Sequence, residues 1–291
     1  MSLTIRAVTP EDRGRILEIS SKIWEGDDYV HLVLDDWLSH PTSEFVVACW
    51  EGRPIAFSFR STYAPGVSWL QGIRTDPDYQ GRGAGRAITE HFIDAARREG
   101  ARRVGLSTYI DNEASIHIIE SYGFVRIAEY VYLESTHETS FDGPGMSVDS
   151  VSIDEARAFV MPSASLRAAA GHIPWIWKML SVEEAWPVIA ERVSDWRGVR
   201  LSGHLESLIG ISPAEDPKDA AFVSFLEGRN EDLIALLRSV QTGLYPARFE
   251  FMIPSDGVTE GSVVDLLRAA GCVSWSGFQP DVFHYELALD G

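Results

Sequence analysis

Cysteine is scarce in this chain: Cys49 and Cys272 are the only two among 291 residues. So few, and so far apart, they exclude a disulfide-stapled scaffold, and a reducing cytoplasm is the expected compartment. Long apolar runs are missing as well. No stretch approaches the roughly 20 residues that span a bilayer, and the first residues lack the apolar segment of a secretory signal, so no membrane association is expected. Cations are in deficit, with 25 Lys+Arg against 43 Asp+Glu and a net charge of -18. Nucleic-acid affinity comes largely from cations that neutralise phosphates, so no nucleic-acid partner is expected.

What is present is an ordinary globular composition, 45% hydrophobic with a mean hydropathy of -0.06. The length suits one large domain or two medium ones, each with its own core. The charge is uneven: through Glu134 there are 14 Lys+Arg against 20 Asp+Glu, and after it 11 against 23. Cations are therefore relatively enriched in the half that holds the most informative stretch, Trp69 to Gly100. There, Val67 to Thr75 reads as a strand that Asp76-Pro77-Asp78 interrupts, since proline has no N–H for the ladder. Gln80-Gly81-Arg82-Gly83-Ala84-Gly85 follows. Ala87, Ile88, Phe92, Ala95 and Ala96 then recur at helical spacing, and Gly100 is the stop. A strand, a glycine-rich turn and a helix N-terminus make an anion site, because the first N–H groups of the helix lack partners and its dipole is positive there. Arg82 and Arg86 add charge beside it. The whole reads as a pyrophosphate cradle.

Two common cradles do not fit. A P-loop needs Lys-Ser or Lys-Thr after its last glycine, where this chain has Arg86-Ala87. A dinucleotide-binding turn needs G-x-G-x-x-G and an acidic residue ending the next strand. Here the glycines run G-x-G-x-G, and the next strand ends in Tyr109-Ile110-Asp111-Asn112. The stretch from Gln80 to Gly85 instead resembles the Q/R-x-x-G-x-G/A signature of the GNAT superfamily of acyl-CoA-dependent N-acyltransferases. The resemblance extends to Ile73-Arg74-Thr75-Asp76-Pro77 before it and to Asn112 through Gly123-Phe124 after it. It implies acetyl-CoA as cofactor. Backbone groups of Ile73 and Thr75 would contact the pantetheine, Gln80, Gly81, Arg82, Gly83, Ala84, Gly85 and Arg86 would hold the pyrophosphate, and Asn112 would stand at the end of the following strand. No metal is expected.

The order of elements agrees with that resemblance. Leu3 to Val8 reads as a strand, Thr9 opens a helix with Ile16, Leu17, Ile19 and Ile23, and a second helix holds Leu32 to Leu38. Phe45 to Trp50 and Ile55 to Ser61 form a hairpin around Glu51-Gly52-Arg53. After the loop helix come a strand at Arg103 to Tyr109, a helix at Glu113 to Ser121 and a closing strand at Phe124 to Leu133. The expected fold class is α+β, or mixed α/β: a mostly antiparallel, splayed sheet flanked by helices over residues 1–134. Residues 135–150, with Gly143-Pro144-Gly145, read as a linker. The segment to about Val193 reads as mainly helical, its tryptophans as core or interface. From Leu205 onward the earlier order returns: strand Ala221 to Leu226, helix Glu231 to Val240, strand Ala247 to Ile253, helix Val263 to Ala270, strand Phe283 to Leu289. Where the first half has its cradle, this half has Glu227-Gly228-Arg229-Asn230. Residues 151–291 are therefore expected to be a degenerate second GNAT-like domain without cofactor, the alternative being an unrelated α/β domain.

The chain departs from the family at its proton donor. The family's tyrosine, seven residues after the asparagine, would fall at position 119, which is Ile119. Tyr122 and Tyr109 lie nearby, as does His117, and protonation of the thiolate through water is the other route. For the base, Glu25, Asp27 and Asp28 form an acidic run that reads equally as a solvated loop. Ile23 to Tyr29 followed by Trp37-Leu38 resembles a GNAT branch that includes the vertebrate histidine N-acetyltransferase. The candidate catalytic residues are Glu25, Asp28 and Tyr122. The expected activity is acetyl transfer to a small-molecule primary amine, a free amino acid among the candidates, with a homodimer left open. The alternative is an acyl-CoA-binding regulatory or sensor protein in which turnover is weak.

Overall fold

The computed structural model of this chain describes residues 3–40, 43–143, 146–212, 220–243, 248–255 and 262–289. Two compact units emerge, one of Met1–Leu106, Asn112–Val125 and Tyr285–Gly291, the other of Ser107–Asp111 and Arg126–His284.

The elements of the first unit are β1 (Leu3–Ala7), α1 (Arg13–Ser20), α2 (Val30–Ser39), β2 (Glu44–Trp50), β3 (Arg53–Ala64), β4 (Val67–Thr75), α3 (Ala84–Arg98), β5 (Arg103–Tyr109) and α4 (Glu113–Ser121). β1, β2, β3 and β4 are antiparallel neighbours. The β2–β3 hairpin turns at Glu51 and Gly52, both left-handed with φ +50° and +83°, the twist that a two-residue turn needs. Side chains alternate across the sheet. Phe45, Val47, Cys49, Phe57 and Phe59 bury against Ile16 and Ile19 of α1 and Leu34 and Trp37 of α2. On the other face Arg60 meets Glu99 just past α3, with 2.5 Å between Nη2 and Oε1. β4 and β5 are parallel, and their pairing is short: Val67, Ser68 and Trp69 lie against Arg103, Val104 and Gly105. Beyond Trp69 the two strands part. The chain's end also belongs to this unit, where Glu286 reaches Arg103 at 3.2 Å and the Leu289 N–H donates to the Arg102 carbonyl.

In the second unit the chain continues with β6 (Val125–Glu134), β7 (Asp149–Ser150), α5 (Ile153–Val160), α6 (Ala164–Ala168), β8 (His172–Trp175), β9 (Lys178–Ser181), α7 (Trp186–Arg192), β10 (Asp195–Leu201), β11 (His204–Ser212), β12 (Ala221–Glu227), α8 (Asn230–Gly243), β13 (Phe249–Pro254) and α9 (Val263–Ala269); the last strand, β14 (Val282–Ala288), belongs to the first unit from Tyr285 on. β10, β11 and β12 are antiparallel. β12 and β13 are parallel at Ala221–Val223 with Phe249–Phe251. β6 lies antiparallel on β13, Tyr130–Glu134 against Glu250–Pro254. The arrangement of the first unit thus recurs: a parallel pair joined through a helix and paired for three residues. The core gathers Val131, Leu133, Ile209, Val223, Leu236, Phe251 and Leu267.

Several sequence expectations change here. The segment to Val193 is not mainly helical: β8 and β9 form a hairpin within it. The hairpin β10–β11 lies before Ala221, the start of the first strand expected in this half. Phe141, inside the expected linker, is 2% exposed in the second core, and Pro144, Gly145 and Ala247 fall outside the described residues. Cys49 and Cys272 are both free thiols and buried. Among the described residues no helix is long and apolar enough to cross a membrane.

Candidate functional site

The cradle forms where the chain leaves β4. Asp76 caps a short 3-10 turn, Pro77–Tyr79, by accepting the Asp78 N–H. Its side chain is fully buried and paired with Arg15 and, at 3.0 Å, with Lys22. Burial opposes ionisation of Asp76, but hydrogen bonds from Arg15, the Asp78 N–H and Lys22 outweigh it and hold the carboxyl below its usual range. This anchor sets where the glycine loop begins.

Gly81 and Gly83 are left-handed, φ +75° and +80°, and among the described residues nothing beyond the adjoining chain lies within 4 Å of a Cβ built on either. Gly83 is the N-cap of α3, and the first bond of the helix runs from the Ala87 N–H to the Gly83 carbonyl. The N–H groups of Ala84, Gly85 and Arg86 therefore have no acceptor within the helix. The first turn of α3 carries no acidic residue, so the dipole there is unopposed. Gly85 packs at 3.4 Å from Ile118 Cδ1 and 3.9 Å from Ile73 Cδ1, tying the helix start to α4 and β4. The Arg82 guanidinium lies over the Trp50 ring at 4.7 Å, and Arg86 donates to Ser121 Oγ at 2.8 Å. An open, cationic pocket of backbone donors is what a pyrophosphate requires.

Among the described residues the pairing of β4 with β5 ends at Trp69, leaving Leu70 to Thr75 without a partner on that side. Ile73 and Thr75, expected to meet the pantetheine, stand in this unpaired stretch. The ladder with β3 is also irregular between Phe57 and Phe59, opposite Gly72 at φ +65°. A Cβ on Gly72 would overlap the Trp37 ring, which stacks on Phe59 at 4.8 Å. Sequence reasoning passed over Gly72, although an isolated glycine within a strand pattern signals a bulge or a close approach.

The three candidate catalytic residues are not brought together. Asp28 is buried, with both carboxylate oxygens held by Arg74 at 2.9 and 3.1 Å and one also by the Ser20 hydroxyl at 2.8 Å. Glu25 is exposed and left-handed at φ +58°, next to Trp24, whose ring covers the Arg74 guanidinium at 4.4 Å. Tyr122 donates its hydroxyl to the Arg86 carbonyl at 3.2 Å, beside the cradle, and burial raises its pKa. Asp27 and His117 are exposed. Ile119 is 3% exposed, a core residue, and Asn112 is the N-cap of α4.

The equivalent region of the second unit is closed by its own residues. Glu231 and Asp232 are in the first turn of α8, and Asp232, fully buried, accepts from Ser207 and Arg229. A Cβ at Gly228 would strike Ser207. Past Val223, where β12 and β13 part, Ser224, Leu226, Met252 and Pro254 face His172, Ile173 and Pro174 of β8 across a small cavity. The Glu227 carboxylate accepts the N–H groups of Ala164 and Ser165.

Residues 14–124 match the family model described as Acetyltransferase (GNAT) family. The chain is 30% identical over 129 residues to the N-alpha-acetyltransferase RimI of Mycobacterium tuberculosis, covering 43% of this chain and 80% of that one. It is 32% identical over 106 residues to the mycothiol acetyltransferase of Nocardiopsis dassonvillei, over 34% of this chain and 32% of that one. Among curated relatives the matched share of their own length runs from 32% to 80%. A GCN5-related N-acetyltransferase from Sphaerobacter thermophilus has the same fold at a TM-score of 0.67 and 16% identity, over 98% of this chain and 95% of that one. A cradle built of backbone donors, a parted pair of parallel strands and these relatives lead to one conclusion: the chain belongs to the GNAT acetyltransferase family.

Proposed function

We propose that this protein is an acetyl-CoA-dependent N-acetyltransferase whose acceptor is a small-molecule primary amine, free amino acids included. The observation that carries the reading is the start of α3, where bare N–H groups and a left-handed Gly83 lie at the end of a strand that parts from its neighbour. Gln80 to Arg86 would hold the pyrophosphate, and the unpaired edge of β4 at Ile73 and Thr75 would receive the pantetheine. When bound, acetyl-CoA supplies an activated thioester. The chain's own tasks are to place an amine against it, to take the amine's proton and to polarise the carbonyl.

In this reading Asp28 is a positioning residue. Its carboxylate is fully engaged by Arg74 and Ser20, and it locks Arg74 between Ile73 and Thr75 on the cofactor strand. Of the two exposed carboxylates of the run, Glu25 and Asp27, Glu25 beside Trp24 is the one assigned to receive the amine's proton, directly or through water. Tyr122 supports the first turn of α3 through the Arg86 carbonyl. With Ile119 in the core, the thiolate takes its proton from water. The buried Ile119 also favours a second reading, an acyl-CoA-binding sensor with weak turnover.

Release of free thiol from acetyl-CoA separates the two, assayed with a panel of amino acids and other small amines and with peptides bearing free N-termini. Turnover with small amines supports the enzyme reading. Peptide-only turnover would overturn the acceptor class, and CoA binding with no turnover on any amine would leave the sensor.

A further inference from the structure

Four aromatic rings of the second unit meet in a circuit away from the cradle, one of them, Tyr132, buried at 3% exposed. Tyr109 lies 4.7 Å from Trp177 and 5.1 Å from Trp275, centroid to centroid, and Tyr132 lies 5.6 and 4.7 Å from the same two rings. They come from four separate places: β5, β6, the tip of the β8–β9 hairpin and the loop before β14. Trp275 is 60% exposed, an uncommon position for the largest apolar side chain. Tyr109 and Trp177 are half-buried. The circuit is open to solvent on the Trp275 side.

The backbone is held in sparsely populated conformations to place these rings. Ile176, immediately before Trp177, has φ +53°, and Phe278, in the Trp275 loop, has φ +68°. A β-branched residue in the left-handed region is a real outlier, and such strain persists where surrounding contacts over-determine it. Here Ser107 Oγ donates to the Trp177 carbonyl at 2.7 Å. Ser274 Oγ accepts the N–H groups of Ser276 and Phe278 and so closes the loop around Trp275.

Beside the rings stand two carboxylates. Glu134 of β6 and Glu250 of β13 are directly opposite each other in the ladder, where like charges repel. Tyr132, two residues before Glu134, shares their face of the sheet. Burial is the larger cause raising the Tyr109 and Tyr132 pKa values, and nearby carboxylates raise both further: Asp281 first, then Glu134 and Glu250, for Tyr109, and Glu250 and Glu134 for Tyr132. The rings thus lie in a negative potential. π-faces beside paired carboxylates make an environment that a cation relieves and a neutral group does not.

We infer that Tyr109, Tyr132, Trp177 and Trp275, with Glu134 and Glu250, form a binding site for an organic ammonium group. The site would take a cationic, alkyl-substituted nitrogen, a chemistry that the proposed amine acceptor shares but that does not depend on it.

The test uses the full chain and a cation that cannot be acetylated. Choline is titrated while tryptophan fluorescence is read, against its uncharged isostere 3,3-dimethylbutan-1-ol. Choline should give a saturable change that the alcohol does not. Trp275→Ala, a change at an exposed position, and Glu250→Gln should each weaken choline binding about tenfold, with Trp275→Phe restoring most of it. Failure to saturate below about 50 mM choline, equal binding of the alcohol, or an unaltered Trp275→Ala affinity would each overturn the site. The rise in melting temperature with CoA, measured on the same samples, tests the cradle separately. Its absence would count against the proposed function and not against the ammonium site.

Discussion

Arg74 and Asp28, 46 positions apart in the chain, form a two-pronged ion pair of 2.9 and 3.1 Å between Arg74 Nη2 and Nε and the two carboxylate oxygens. Both side chains are removed from solvent, 10% and 0% exposed, and the Trp24 and Tyr29 rings lie over the guanidinium at 4.4 and 5.5 Å. The acidic segment before α2 is thereby pinned to the strand that would carry the cofactor. An acidic run that reads as a solvated loop has one member, Asp28, that is not solvated at all.

Breaking this pair should be costly. Asp28→Asn leaves Arg74 buried without its counter-charge, a loss of about 3 kcal/mol or more. Replacing both residues with apolar ones of similar size should cost less than the single change. Denaturant midpoints of the three variants check this, and an unshifted Asp28→Asn midpoint would contradict it.

Glu25→Gln should behave in the opposite way. The side chain is exposed, so the melting temperature should hardly move, while acceptor KM rises and kcat/KM falls by about 10- to 1000-fold. CoA affinity should be unchanged. A change in kcat/KM below about twofold would mark Glu25 as a solvated loop residue.

Gly83→Val tests the cradle. Among the described residues a Cβ there meets nothing beyond the adjoining chain, so the cost to the fold is that of a β-branched residue at positive φ, about 1–3 kcal/mol. The chain should still fold, and the CoA-induced rise in melting temperature should vanish because the side chain occupies the phosphate's space. A folded variant with unchanged CoA affinity would refute the assignment.

Titration calorimetry should find one CoA per chain. In the second unit Glu231 and Asp232 stand in the first turn of α8, where the first turn of α3 has no acidic residue. Carboxylates at a helix N-terminus satisfy the dipole and repel a phosphate. A stoichiometry of two would show that both units bind.

Asp76 should contribute a pH-dependent part of stability. Its carboxyl is held below the ordinary range: burial raises its pKa, and the bonds from Arg15, the Asp78 N–H and Lys22 outweigh that. A depressed folded-state pKa stabilises above the unfolded value of about 3.9 and ceases to do so as pH falls below it. The gap in melting temperature between the wild type and Asp76→Asn should therefore be full at pH 7 and shrink below about pH 4. A gap constant from pH 7 to pH 3 would show that Asp76 acts without its charge.

Much of the first unit is legible along the chain because its signals are local. Val67–Thr75, Arg103–Tyr109 and Glu113–Ser121 appear at the residues that periodicity and turn chemistry indicate, and Gly81 and Gly83 are left-handed where a cradle needs them. The strands of residues 172–212 escaped notice because Trp-rich and mixed polar segments carry no clean period of two. Gly72 gives no sign of its role until Trp37 is seen across it.

Glycine spacing and helical period, both properties of neighbouring residues, already mark the glycine-rich turn and the helix that follows it. Which strand completes which unit is not such a property. The sequence order makes Phe124 to Leu133 the closing strand of the first half, and only long-range pairing lays it on Phe249–Pro254, while the chain's last strand returns to Arg103. The burial of Asp28 under Arg74 and the meeting of Tyr109, Tyr132, Trp177 and Trp275 are decided in the same way. No spacing encodes contacts between residues so far apart, because side chains on distant segments gain free energy from one another only after the backbone has brought them together.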